Sequence, residues 1–100
     1  MQYSIKTSGN GAELTIKGRL TFTEAATFPK ILAEMDKIGQ SHWAIRLDDL
    51  TTIDSTGMSL FVHVYDGANA AGTKVVIHGA KGVVREALNR AAFQTLFEIR

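Results

Sequence analysis

The sequence predicts one α/β domain over residues 1–100, a mixed sheet of four to five strands packed with three or more helices. Three observations lead there. Hydrophobic periodicity switches along the chain between two and about 3.6 residues. The joints between the periodic segments are short and marked by glycine. Hydrophobic residues are 45% of the 100 residues and charged residues 21%, enough apolar matter for one core and too much for a disordered chain.

The elements follow in order. Tyr3 to Thr7 and Ala12 to Gly18 read as two strands around Ser8-Gly9-Asn10-Gly11, a gap that suits a hairpin. In the second, Ala12, Leu14 and Ile16 alternate with Glu13, Thr15 and Lys17, as in a sheet with one wet face. Phe28, Ile31, Leu32, Met35 and Ile38 then recur at helical spacing, and Gly39 supplies the stop. Pro29 is tolerated only in a first helical turn, being worth about 3 kcal/mol of destabilisation deeper in. The spacing therefore predicts a turn or irregular coil over Thr23 to Thr27 and a helix from there to Ile38. His42 to Leu47 alternates again as a strand, and Lys74 to His78 (KVVIH) is a more buried one. Between them a helix is expected from Ser55 to Ala71, closed by Gly72, and a third covers Gly82 to Ala92. Leu96 to Arg100 is expected to add a final edge strand.

Composition narrows the function. A net charge of +1 gives no global pull toward nucleic acid or anionic membrane. Asp48, Asp49, Asp54 and Asp66 lie in the stretch between Arg46 and Lys74, which contains no lysine or arginine, so a partner docking there is expected to be basic or apolar. The absence of cysteine excludes disulfides, thiol catalysis and cysteine-bound zinc. The first residues lack a signal-peptide core, and no window reaches the roughly 18 to 20 apolar residues of a membrane span, so the expectation is a cytoplasmic domain without membrane insertion.

The stretch Asp54-Ser55-Thr56-Gly57 stands where the central helix begins. Asp54 and Ser55 are both good N-caps, since a side-chain oxygen can accept from backbone N–H groups that have no intrahelical partner. Gly57 costs a helix about 1 kcal/mol relative to alanine. That cost is understandable if Gly57 keeps the approach to the Ser55 hydroxyl open. At 100° per residue, Met58, Phe61, Val62, Tyr65, Ala68 and Asn69 form the core stripe. Thr56, Ser59, His63, Asp66, Gly67 and Ala70 lie opposite, with Leu60 and Val64 toward one flank. This stripe of short side chains is either a solvated face or one that lets another protein approach closely, and in the second case Asp54, Ser55, Thr56, Gly57, Ser59, Leu60 and His63 are the candidate partner-binding residues.

No catalytic or metal residues are assigned. Ser55, Asp54 and His63 are the types of a hydrolase triad, but Ser55 and His63 stand eight residues apart on one helix, roughly 12 Å along its axis. A nucleophile and its base need a separation of about 2.6–3.2 Å. His42, His63 and His78 fall on different elements with no ligand spacing, and no phosphate-binding glycine loop is present, so no cofactor is expected.

The run Leu47-Asp48-Asp49-Leu50-Thr51-Thr52-Ile53-Asp54-Ser55-Thr56-Gly57-Met58 resembles the signature of the STAS domain family, named for sulfate transporters and anti-sigma factor antagonists. The likeness extends over nearly the whole chain, from the opening hairpin ending in Gly18-Arg19-Leu20 to the strand and helix between Lys74 and Ala92. Gly18-Arg19-Leu20-Thr21 departs from the family's more usual glycine-acid-hydrophobic-Asp. The resemblance implies a switch like that of the bacterial anti-sigma factor antagonists. Ser55, with Thr56 as second choice, would be phosphorylated by a partner serine kinase, often itself the anti-sigma factor, and dephosphorylated by a PP2C-type phosphatase. The unphosphorylated form would bind the partner and so act on transcription. The alternative it implies is an unphosphorylated STAS subunit of a lipid-transport ABC system. In the switch reading Asp54, with Asp48 and Asp49 nearby, would leave an added phosphate uncompensated in the complex.

Overall fold

The computed structural model describes residues 1–9, 11–39 and 41–100. Its strands are β1 (Gln2–Ser8), β2 (Gly11–Leu20), β3 (His42–Arg46), β4 (Leu50–Ile53), β5 (Lys74–His78) and β6 (Glu98–Ile99). Its helices are α1 (Phe28–Ile38), α2 (Ser55–Ala71) and α3 (Gly82–Arg90), with single 3-10 turns at Phe22–Glu24 and Phe93–Thr95. The mixed α/β architecture is the expected one, with one strand more.

β2 organises the sheet. Along one edge it pairs antiparallel with β1, from Gln2 opposite Lys17 to Ser8 opposite Gly11. Asn10, part of the expected hairpin turn, lies outside the described residues. The other edge of β2 is shared. Gly11 to Thr15 pair in parallel with β3, and Gly18 to Leu20 pair in parallel with β4. Beyond β3 come β5 and then β6, both parallel. β4 is the strand the periodicity does not announce, because it has only four residues and follows β3 after a three-residue turn. Its pairing with β2 slips by one residue, with Gly18 opposite Leu50 but Arg19 opposite Thr52. Thr51 is the extra residue of this bulge, and its hydroxyl donates to the Gly18 carbonyl at 2.8 Å.

Alternation along the strands puts Ala12, Leu14, Ile16, Trp43, Ile45, Val75 and Ile77 into one core. Phe28, Ile31 and Met35 of α1 and Val84 and Leu88 of α3 complete it as their spacing requires. Pro29 does fall in the first turn of α1. α1 and α2 end on Gly39 and Gly72, both with φ near +70°, the left-handed conformation that glycine adopts without a Cβ penalty. The C-terminal segment returns to the core through Phe93 and Phe97, whose rings meet Phe61 edge-on at centroid distances of 6.5 and 6.4 Å.

α2 is rotated relative to the expected stripe. Gly57, Leu60, Phe61, Val64 and Ala68 are its buried residues. Val62 and Asn69, assigned to the core from sequence, are exposed. The reason is local. A Cβ at residue 57 would overlap the Leu20 carbonyl oxygen and come within 2.8 Å of Ile53 Cγ1. Only a glycine lets α2 come this close to the ends of β2 and β4, so the helix turns its bare position inward, and Leu60 and Val64 follow one and two turns later.

Candidate functional site

The site is assembled where β2 and β4 end together and α2 begins. Asp54 is its fixed point. Its backbone is extended, its N–H donates to the Leu20 carbonyl at 3.3 Å, and its carbonyl accepts the first helical bond from Met58 at 2.9 Å. The carboxylate spans two elements, with Oδ1 accepting from the Gly57 N–H at 2.8 Å and Oδ2 from the Phe22 N–H at 3.0 Å. The Gly57 N–H foremost, and those of Phe22 and Thr56 after the opposing effect of desolvation, hold the Asp54 carboxyl below its ordinary range. Asp54 is thus an ionised cap.

Because Asp54 takes the capping role, Ser55 is free of it. It is the first residue of α2, it is exposed, and its hydroxyl makes no hydrogen bond among the described residues. Its carbonyl accepts from the Ser59 hydroxyl one turn on, at 3.1 Å. Ser59 and His63 are exposed and Thr56 is half-buried, so these three extend an accessible face from Ser55 along α2. Gly57 and Leu60 do not belong to that face. Gly57 is sealed against Leu20, and Leu60 is only 7% exposed in the core. The reading of Gly57 as keeping an approach open is corrected accordingly: the missing side chain makes room for the sheet.

Two further expectations about charge change. Asp48 and Asp49 are separated from Ser55 by the length of β4, on the order of 15 Å of extended chain. Asp48 is engaged there by Arg46, whose Nε lies 3.1 Å from Oδ2 and holds its carboxyl below the ordinary range. The cations near Asp54 come instead from β2. Lys17 and Arg19 line a cleft of about 740 Å³ together with Phe22, Thr23, Thr52 and Asp54. Phe22 is 71% exposed at its edge. The parallel pairing of β2 with β4 creates this proximity between residues more than thirty positions apart. The Arg19 departure from the family pattern and the β-branched run Thr51-Thr52-Ile53 are the sequence signals that bear on it.

Among the described residues no group of three or more His, Asp or Glu side chains is placed to hold a metal ion, and no helix is long and apolar enough to cross a membrane. The family model of the STAS domain matches residues 2–100. The chain belongs to the STAS domain family. Solved relatives share the fold of this STAS domain. An anti-sigma factor antagonist described as putative from Thermotoga maritima superposes with a TM-score of 0.88 at 18% identity, covering 97% of this chain and 84% of that one. The Bacillus cell fate determinant SpoIIAA in its phosphorylated form gives 0.75 at 11% identity, over 99% and 91%. A sulfate transporter family protein from Wolinella succinogenes gives 0.77 at 22%, over 90% and 75%. No curated protein sequence matches significantly. At these identities the likeness speaks for the fold, and the function of this STAS domain has to be argued from its own site.

Proposed function

We propose that this STAS domain is a phosphorylation-switched protein-interaction regulator of the anti-sigma factor antagonist kind, with Ser55 as the modified residue. The observation that carries the reading is the exposed Ser55 hydroxyl, unbonded at the head of a 17-residue helix whose cap is provided by its neighbour. A kinase can reach such a hydroxyl without disturbing the fold. The partners are a serine kinase resembling an anti-sigma factor and a PP2C-type phosphatase, acting in the cytoplasm of a bacterium. The domain itself is not an enzyme in this reading. Ser55 and His63 stay roughly 12 Å apart along α2, and Asp54 spends its carboxylate on backbone N–H groups.

Phosphorylation would add about −1.5 to −2 charges beside the ionised Asp54. In the free domain that charge is solvated and favoured by the helix dipole. In a complex that buries it away from the cations Lys17 and Arg19, a penalty of about 3 kcal/mol would weaken binding roughly a hundredfold. The SpoIIAA relative solved in its phosphorylated form supports a modification on this fold. The test is to incubate the domain with ATP and lysate of its own cells and to look by mass spectrometry for one phosphoryl group, about 80 Da, on the peptide carrying Ser55. Ser55→Ala should lose the modification and hold the partner constitutively, while Ser55→Glu should bind it poorly. An unmodified Ser55 together with co-purification of a transport ATPase would move the assignment to a transporter-attached STAS subunit.

A further inference from the structure

We infer that the cleft lined by Asp54, the residue before Ser55, receives an acidic segment of the partner protein that carries an apolar anchor, recognised by Lys17, Arg19 and the ring of Phe22. The inference rests on the proposed reading that a protein partner docks at this end of the domain, and it names the chemistry of the docking segment.

The pairing of the cleft's charges points to an acidic occupant, because its acids already have partners and its two side-chain cations have none among the described residues. Of its two acids, Asp54 has both carboxylate oxygens committed to backbone N–H groups. Glu24 accepts from the Thr23 hydroxyl at 2.8 Å and pairs with the Met1 amine at 3.7 Å. Lys17 and Arg19 are exposed and make no ion pair among the described residues. Two cations are therefore left to a visitor, with Arg19 able to take a carboxylate by both of its terminal nitrogens.

The second observation is Phe22. An isolated exposed apolar side chain needs no explanation, but this one is fixed from both sides. Its N–H is held by Asp54, its carbonyl accepts from the Ala25 N–H at 3.2 Å, and the preceding Thr21 is buried and shares a hydrogen bond with Thr23 at 3.0 Å. A ring presented from an ordered turn requires no further backbone ordering when it is covered, and with only two side-chain torsions it loses little conformational entropy, as aromatic anchors at interfaces do. Nucleic acid and membrane fit less well. Two cations with two acids between them, on a domain of net charge +1, make no extended basic field. The arrangement also links cleft and switch: an acidic segment seated against Asp54 would be repelled when Ser55, the next residue in the chain, gains a phosphate.

The experiment is an amide-shift titration of the isotopically labelled domain with three short synthetic peptides. One is a run of Glu and Asp carrying Leu and Phe, one has Gln and Asn in place of the acids, and one has Lys. Vesicles of anionic phospholipid form a fourth arm. The acidic peptide should shift Arg19, Phe22, Thr23 and Thr52, with affinity falling as salt is raised. The Lys17→Glu/Arg19→Glu variant should bind it about tenfold more weakly or worse, Phe22→Ser should also weaken it, and Ser55→Glu should weaken it several-fold. Equal binding of the neutral peptide, shifts centred elsewhere, no binding, or stronger binding of vesicles would each overturn the inference. Phosphorylation of Ser55 is scored separately on the same wild-type protein. A modified Ser55 with a silent cleft sinks this inference alone, whereas an unmodifiable Ser55 sinks the reading beneath it.

Discussion

The Asp54 carboxylate accepts the backbone N–H of Phe22 at 3.0 Å across 32 positions of sequence. Its other oxygen caps α2 through Gly57. One side chain therefore ties the turn after β2, which carries the exposed Phe22, to the start of the helix, which carries the exposed Ser55.

The first prediction concerns pH. Hydrogen bonds from Gly57 and Phe22 depress the folded-state pKa of Asp54 below the value of roughly 3.9 expected when unfolded. A depressed carboxyl contributes stability that is present above the unfolded value and lost as pH falls through the folded one. Asp48, bonded to Arg46, and Glu98, bonded to Arg100, shift in the same direction. The urea midpoint of the wild type should fall below about pH 4. Asp54→Asn should melt several degrees lower at neutral pH and decline less steeply in acid, the two curves converging. A constant gap across the whole range would show that ionisation of Asp54 is irrelevant to the cap.

Two glycines of α2 should respond oppositely to alanine. At Gly67 nothing lies within 4 Å of an added Cβ, so Gly67→Ala should stabilise by about 0.5–1 kcal/mol through helix propensity. At Gly57 the Cβ would meet the Leu20 carbonyl and Ile53, so Gly57→Ala should destabilise by about 1–3 kcal/mol despite the same gain in propensity. Denaturation of both variants checks the pair. A stabilised Gly57→Ala would mean that the close approach of helix and sheet is wrong.

Leu60 and Ser59 should separate folding from docking. Leu60 is in the core, so Leu60→Ala should cost about 2–5 kcal/mol of stability. Ser59 is exposed beside Ser55, so Ser59→Arg should leave the unfolding midpoint within about 0.5 kcal/mol of wild type and weaken the partner complex. Unchanged binding by Ser59→Arg would remove this face of α2 from the interface.

Much of this arrangement was legible in the residues alone. α1 and α2 begin and end where Pro29, Asp54, Gly39 and Gly72 say they should, because caps and breakers act within one turn and need no tertiary information. The rotation of α2 was not legible. Turning the helix by one position exchanges Val62 for Leu60, both apolar, and only the contact of Gly57 with Leu20 chooses between them. β4 escaped for a similar reason. Four residues carry too little periodicity, and the bulge at Thr51 interrupts even that. With β4 unseen, nothing in the sequence brings Arg19 and Lys17 next to Asp54. The local chemistry of Ser55 could be read, but the charge around it depends on strand pairing.

The last prediction tests whether the proposed switch would act on the fold or on the complex. Ser55 opens α2, where the orphan N–H groups and the helix dipole favour negative charge by about 0.3–1 kcal/mol. It is also exposed, so a charge there stays hydrated. Ser55→Glu should therefore have an unfolding midpoint equal to or slightly above that of wild type, and Ser55→Lys one slightly below. Both differences should shrink as salt is raised, since interactions between exposed charges are screened within about 10 Å at ordinary ionic strength. Circular-dichroism denaturation at low and high salt measures this directly. If Ser55→Glu unfolded the domain, partner release could be explained by lost structure. If it stays folded while partner binding is lost, the added charge must act where the two surfaces meet.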